Sequence, residues 1–419
     1  MSIKFRLIVM SFFQFFVWGA WLITIGTYCF NAKGWTGAQF GAIFSTLALS
    51  SLFMPALVGI IADKFINAEK LYGILHILYG LILLYVPSVN DPDTLYYVIF
   101  AAMICYMPTI SLSNSIAFTI LKNNNYDVVK VFPPIRVWGT IGFIVAMWIT
   151  NLSGSKANAN QFIIAAVGAV ILGIFSFTLP KCPPPKTINQ NAGFIEQMGL
   201  KAFKLFANYK MALFFIFSMF LGAALQLTNM YGDSFLDDFK LIPQYGPDSF
   251  VVKYSTIIMS VSQISETVFI LAIPFFLKRF GIKNVMLFAM IAWVLRFGLF
   301  AYGNPGDGLW MIILSCIVYG LAFDFFNISG SLFVETETDS SIRSSAQGLF
   351  MMMTNGVGAL LGTKISGWLI DTYYTSPTGK NWNGIWLAFA IYALIVAIMF
   401  AIMFKHKHKI TEKDLALAQ

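Results

Sequence analysis

Charge is what this sequence has least of. Its 419 residues carry 27 Lys and Arg and 19 Asp and Glu, 11% in all, where a soluble globular chain carries roughly 25%. The shortfall excludes a soluble enzyme, a disordered chain and a nucleic-acid-binding domain. Cysteine is scarce too. Cys29, Cys105, Cys182 and Cys316 form no pair at metal-ligand spacing, and a disulfide framework needs a far denser pattern. The histidines are His76, His406 and His408, without the His/Asp or metal cluster that a membrane-embedded enzyme needs. No G-x-x-x-x-G-K-[ST] loop is present, so the driving force for any transport is an ion gradient or the substrate gradient alone. A channel filter motif is also missing.

Apolar residues take the vacated share: 58% of the chain, with a mean hydropathy of +0.74. A spanning helix needs about 20 apolar residues, so the chain reads as a polytopic all-α membrane protein. Runs bounded by charge and by Gly, Pro and Asn predict twelve spans, over 5–30, 38–62, 69–87, 95–121, 129–152, 160–180, 209–232, 252–277, 283–302, 308–333, 344–372 and 383–404. The start, MSIKFRLIVM, is basic and then apolar like a signal peptide, but no A-x-A-type site follows. It reads as an uncleaved first helix. The longest polar break contains Cys182-Pro-Pro-Pro-Lys186 and divides the chain into a six-helix half (1–180), a connector (181–208), a second six-helix half (209–404) and a basic tail (405–419).

With the N-terminus in the cytoplasm, nineteen Lys and Arg fall on the inner side. Five fall outside: Lys33, Lys156, Lys240, Lys253 and Lys380. The asymmetry predicts that both termini are cytoplasmic. The tail Lys405-His-Lys-His-Lys409 reads as a cluster facing anionic membrane lipid. Three basic residues remain within spans, Arg136, Arg296 and Lys364, and the acids clearly at mid-span are Glu266 and Asp324. Each costs about 2.5–3.5 kcal/mol at the centre of a bilayer, so each should face a bundle interior or an aqueous cavity.

Arg136, Thr140 and Phe143 share a face of the fifth span by their i, i+4, i+7 spacing. Snorkelling to the headgroups is the competing reading for Arg136. Gln226 and Asn229 are spaced i, i+3 in span seven, as are Gln263 and Glu266 in span eight; such groups serve either as interhelical glue or as ligands. Span ten holds Tyr319, Phe323 and Asn327 on one face, with Asp324 beside them. Aromatic rings next to a carboxylate and an amide suit a ligand with a flat ring and hydroxyls. Arg296 reads as a packing residue without an assignable partner. Lys364, in a small-residue helix, either snorkels outward or pairs with an acid, and His76 is either a packing residue or a proton relay.

Gly59-Ile-Ile-Ala-Asp63-Lys64, after span two, keeps part of a loop motif that major facilitator transporters carry; Lys278-Arg279-Phe-Gly281 keeps less of it. Four longer segments are more specific: Phe132-Pro-Pro-Ile-Arg136-Val-Trp-Gly-Thr140-Ile-Gly-Phe143, the Thr228-Asn-Met230 region, Ser260-Val-Ser-Gln263-Ile-Ser-Glu266 and Phe323-Asp-Phe-Phe-Asn327-Ile-Ser-Gly330. In these, and over nearly the whole length from Gln14-Phe-Phe-Val-Trp18 to the tail, the chain resembles the bacterial nucleoside:proton symporters of the major facilitator superfamily. The resemblance implies a 6+6 fold in a bacterial inner membrane and import of nucleosides such as uridine and adenosine by proton symport, with alternating access around a central site. It implies no enzymatic activity, no cofactor beyond the co-transported proton, and a functional monomer.

For that substrate site the resemblance implies Arg136, Thr140 and Phe143 from the first half and Gln226, Asn229, Gln263, Glu266, Tyr319 and Phe323 from the second. Asp324 is implied as a coupling residue. Glu266 and Asp324 are the expected proton-linked carboxylates, with Arg136 as a charge partner: burial favours a neutral carboxyl and a nearby base favours the charged form. Sodium in place of protons stays open at this level, as does a sugar or oligosaccharide permease of the same fold.

Overall fold

The computed structural model describes residues 2–184, 200–338 and 343–406. Most of the expected connector and the tail beyond His406 lie outside the described residues, as do the side chains of Asp63 and Lys64 in the first loop motif. The chain divides into two compact units, Met1–Met198 and Gly199–Gln419.

The longer helices of the first unit are α1 (Ile3–Gly19), α2 (Gly37–Lys64), α3 (Ala68–Leu83), α4 (Pro92–Asn123), α5 (Val128–Leu152) and α6 (Asn160–Ser176). Their starts are encoded locally. Ser2 accepts from the Phe5 amide, and Thr36 with Gln39 forms a reciprocal capping box before α2. Asp91 accepts from the Thr94 N–H at 2.8 Å, and this bond holds the Asp91 carboxyl below the usual carboxylate range. Helix α1 packs on α5, α2 on α4, and α3 on both α4 and α6. The α1–α5 approach is close enough to demand glycine: a Cβ on Gly142 would lie 2.1 Å from the Phe12 carbonyl oxygen.

The second unit holds α7 (Tyr209–Asp238), α8 (Ser255–Tyr302), α9 (Leu309–Glu337), α10 (Arg343–Met351), α11 (Ala359–Leu369) and α12 (Trp382–Met403). Helix α8 runs 48 residues only nominally, because Gly281 at φ 74°, ψ 166° breaks it into two arms. A π-helix, Met352–Gly358, joins α10 to α11, and another, Ile370–Tyr374, precedes a two-residue hairpin. Helix α8 packs on α9 and α12, and α7 on α11 and the first of these π-helices.

Eight helices among the described residues are long and apolar enough to cross a membrane. The broken α8 counts once among them. Helices α1 and α6 are 17 residues each, and α10 and α11 are divided by the π-helix. These interruptions separate the eight from the twelve runs read in the sequence. Helix α7 also extends six residues past its expected end at 232. Its added turns carry Asp233, fully buried and accepting from the Thr256 hydroxyl at 2.7 Å. Asp233 thus joins Glu266 and Asp324 as a helical acid, near the end of α7 and not at mid-span, where hydropathy averaging read a loop.

Glu69, at the start of α3, anchors the chain that leaves α6. It accepts from the Cys182 amide at 2.8 Å and from the Asn67 side chain at 3.1 Å, while the Ala68 amide donates to the Cys182 carbonyl. Burial, and secondarily the Glu69 charge, pushes the Cys182 thiol up to about 12. A thiol raised that far stays protonated throughout the neutral range and is a poor nucleophile. We therefore expect Cys182 to resist maleimide at pH 7.5 in the folded protein. Glu69→Ala should release the anchor and speed labelling at least about tenfold; equally slow labelling in the variant contradicts the anchor, and Cys182→Ser identifies the labelled site.

Candidate functional site

In the first unit Pro133 and Pro134 lie inside α5, not in its first turn. Each removes an amide donor, so the turns just ahead of Arg136 are short of backbone hydrogen bonds. Arg136 is the ninth residue of α5, and its half-buried guanidinium stacks 3.9 Å from the centroid of the Phe15 ring on α1. A cation over a ring face is worth about 0.5–2 kcal/mol. One turn on, Thr140 is half-buried and makes no side-chain hydrogen bond among the described residues. Phe143 is buried and meets Trp18 edge to face at 6.4 Å.

Behind this face lies a polar network around Gln14. Its amide donates to the Thr109 hydroxyl at 2.9 Å, and its side-chain oxygen accepts from Tyr72 at 2.6 Å. The Tyr106 hydroxyl donates to the Gln14 backbone carbonyl at 2.7 Å, and the Tyr106 ring packs on Trp18 at 5.6 Å. His76 closes the network with Nδ1 3.0 Å from the Tyr72 carbonyl, which makes Nδ1 the protonated nitrogen. The network sets Trp18, and through it Phe143. Its one sequence signal is an amide, Gln14, isolated in the run Phe12-Phe-Gln-Phe-Phe16.

In the second unit the organising residue is Arg296, on the second arm of α8 and fully buried. Its Nη1 donates to the Ser315 carbonyl on α9 at 2.6 Å, Nε to Thr228 on α7 at 3.3 Å, and Nη2 to Ser262 on the first arm of α8 at 3.3 Å. Ser315 returns a bond to the Arg296 carbonyl at 2.8 Å. The guanidinium lies 4.6 Å from the centroid of Tyr319 and 5.2 Å from that of Phe300. The reading of Arg296 as a residue without an assignable partner gives way to a four-way clasp. The donors and acceptors come from segments too far apart in sequence for spacing to reveal them.

Around this clasp five of the expected residues come together. Helices α8 and α9 touch backbone to backbone: a Cβ on Gly320 would lie 2.6 Å from the Ser265 carbonyl oxygen, and the Ser265 hydroxyl donates to the Ile317 carbonyl. Gln263 lies close to the Tyr319 phenol. Tyr319 stacks on Phe323 at 5.8 Å and 10°, with Trp293 edge-on to Tyr319 at 5.9 Å. Glu266 is near enough to Asp324 for the two charges to interact. Asp324 is buried, and its Oδ2 has no hydrogen-bond partner among the described residues.

Gln226 and Asn229 are half-buried on α7, flanking the Thr228 that Arg296 holds, and make no side-chain hydrogen bond among the described residues. Their amides are thus not spent on interhelical glue. A narrow recess of about 20 Å³ is lined by Trp293, Phe323, Phe326, Asn327, Thr354 and Asn355, among others. Lys364 is exposed on α11, opposite the face on which Gly362 and Ser366 are buried.

Comparison with known proteins gives one consistent result. The sequence model of a family described as "Nucleoside H+ symporter" matches residues 1–409. The chain is 51% identical to the xanthosine permease of Escherichia coli (strain K12) over 409 residues, 97% of each chain. It is 49% identical to the nucleoside permease NupG of the same strain, also over 97% of each. The crystal structure of nucleoside transporter NupG superposes with a TM-score of 0.91, covering 97% of this chain and all of that one.

Arg296 lends itself to a direct check. Replacement by Met strands the Ser315 carbonyl and two hydroxyls, at about 1–3 kcal/mol for each buried polar group left unpaired. Arg296→Met should therefore lower the melting temperature in detergent by several degrees, followed by tryptophan fluorescence. Arg296→Lys should fail to restore it, because an ammonium cannot span the three acceptors. An unchanged melting temperature in the Met variant contradicts the clasp.

Proposed function

Since the chain belongs to the nucleoside H+ symporter family, we propose that it imports nucleosides such as uridine, adenosine and xanthosine across a bacterial inner membrane, drawing on the proton gradient. In this reading the helices make twelve crossings, six in each half, with α8 crossing twice around Gly281. Both termini face the cytoplasm, as the distribution of Lys and Arg supports, and the functional unit is a monomer.

The observation that carries the reading is the group on α8 and α9. A nucleoside presents a flat base and a hydroxylated ribose. The stacked Tyr319–Phe323 pair offers a ring face to the base, a contact worth about 1–3 kcal/mol. Gln263, Gln226 and Asn229 offer amides to the ribose hydroxyls and the base edge. In the first half, Arg136, Thr140 and Phe143 contribute a donor fork, a hydroxyl and a second ring. A single Arg on that face, already stacked on Phe15, is not the cationic cluster that phosphate requires, which favours nucleosides over nucleotides.

The proton is the fitting coupled ion because the buried Asp324 interacts with the half-buried Glu266 within the spans, where carboxylate charge is costly. A proton bound by the pair removes a charge. Its loss to the cytoplasm restores the charge and resets the site.

Uptake of labelled uridine into vesicles, with and without a protonophore, tests both parts. Accumulation should collapse with the protonophore, and adenosine should compete where free sugars and uridine monophosphate do not. Glu266→Gln and Asp324→Asn should each lose at least about tenfold of gradient-driven accumulation, and Phe323→Ala should raise the half-saturating concentration by about tenfold. Full pH-driven accumulation in both carboxylate variants, or accumulation that follows sodium, contradicts the coupling; competition by free sugars contradicts the substrate class.

A further inference from the structure

At the break in α8 the chain gathers positive charge. Gly281 reverses the backbone, so Lys278 and Arg279 at the end of one arm and Lys283 and Asn284 at the start of the next border the same recess, of about 260 Å³. Phe280 and His406, just past α12, complete its lining. The recess is built, and more than a chance run of basic residues. Lys283 Nζ donates to the Ala401 carbonyl near the end of α12 at 3.2 Å, and the Asn284 side chain donates to the Phe280 carbonyl at 3.0 Å. Lys278 and Arg279 are exposed, and their charged ends are accessible.

Among the described residues, no carboxylate lines the recess. Glu337, which meets His406 Nδ1 at 3.5 Å, is already engaged by Lys210 at 2.7 Å. Three permanent cations thus converge on one concavity whose described lining supplies no counter-charge, an arrangement that an anion would relieve. Guanidinium and ammonium groups around a small concavity match a phosphate: Arg supplies a planar fork, and Lys supplies point charge. Basic pockets between transmembrane helices on the cytoplasmic side take phospholipid headgroups.

We propose that this recess is a phosphate-binding site, occupied either by the headgroup phosphate of an anionic phospholipid or by a soluble phosphate. It lies away from the Tyr319–Phe323 group and plays no part in nucleoside binding. From the functional reading it takes only the cytoplasmic placement of this face. The test below reads binding directly, so failure of transport leaves the result interpretable.

The full-length protein in detergent is titrated with phosphatidylglycerol, phosphatidylcholine and inorganic phosphate, and bound species are followed by native mass spectrometry. The site variant is the triple Lys278→Gln, Arg279→Gln, Lys283→Gln. A charge-matched control carries Lys4→Gln, Lys122→Gln and Lys204→Gln. Wild type and control should retain phosphatidylglycerol over phosphatidylcholine, and the site variant should bind it at least about tenfold more weakly. Displacement of the lipid only by other anionic lipids assigns the site to a headgroup; saturation by millimolar inorganic phosphate assigns it to a soluble anion. Equal binding of both ligands by wild type and site variant overturns the proposal. Should the triple variant fail to purify, Arg279→Glu at its exposed position gives the same readout.

Discussion

The cost of placing charge in hydrocarbon governs this molecule more than any single packing contact. A charged side chain at mid-membrane loses about 2.5–3.5 kcal/mol even on lenient scales, so each one kept there must be compensated. The structure shows different forms of compensation. Arg296 is surrounded by hydroxyls, a carbonyl and two ring faces. Arg136 rests on the face of Phe15. Asp233 takes a hydroxyl bond from Thr256. Asp324 stands apart, with one carboxyl oxygen buried and lacking a hydrogen-bond partner among the described residues, and with Glu266 as an electrostatic neighbour.

That contrast separates architecture from chemistry. Arg296 joins α7, both arms of α8 and α9, and so fixes the surface on which Tyr319, Phe323 and Gln263 are presented. A fully satisfied buried network rigidifies its surroundings, which suits a scaffold that must hold amides and rings in place for a small polar ligand. Asp324 lacks that saturation at one carboxyl oxygen among the described residues. Its protonation state can change without dismantling the clasp, because Arg296 spends its donors elsewhere. In the first unit the Gln14 network plays the corresponding part for Trp18 and Phe143.

Much of this was legible in the sequence, and the reasons for the remainder are physical. Hydropathy located α5, α6 and α12 to within a few residues because charge and polar turns bracket them. It misjudged the end of α7, because Asp233 and Asp237 look like loop residues until Thr256 and Lys240 are seen to bond them. It could not foresee the π-helices that divide the segment after α10, which depend on local backbone geometry. Among the site residues, helical spacing put Arg136, Thr140 and Phe143 on one face and singled out Glu266 and Asp324. Spacing could not reveal that Arg296 reaches Ser315 and Thr228, since these pairings depend on tertiary contact. The bonding role of Gln14, a lone amide in an aromatic run, depends likewise on partners distant in sequence.

In the proposed cycle the Glu266–Asp324 pair binds and releases a proton as nucleoside crosses the membrane. The most direct measurement is the pH inside proteoliposomes, followed with an entrapped dye, after uridine is added outside with no gradient imposed. Uridine alone should acidify the lumen with the native chain, and Asp324→Asn should abolish the signal while uridine binding persists. Uridine entry with no change in lumen pH, or an undiminished signal in the variant, would contradict the cycle.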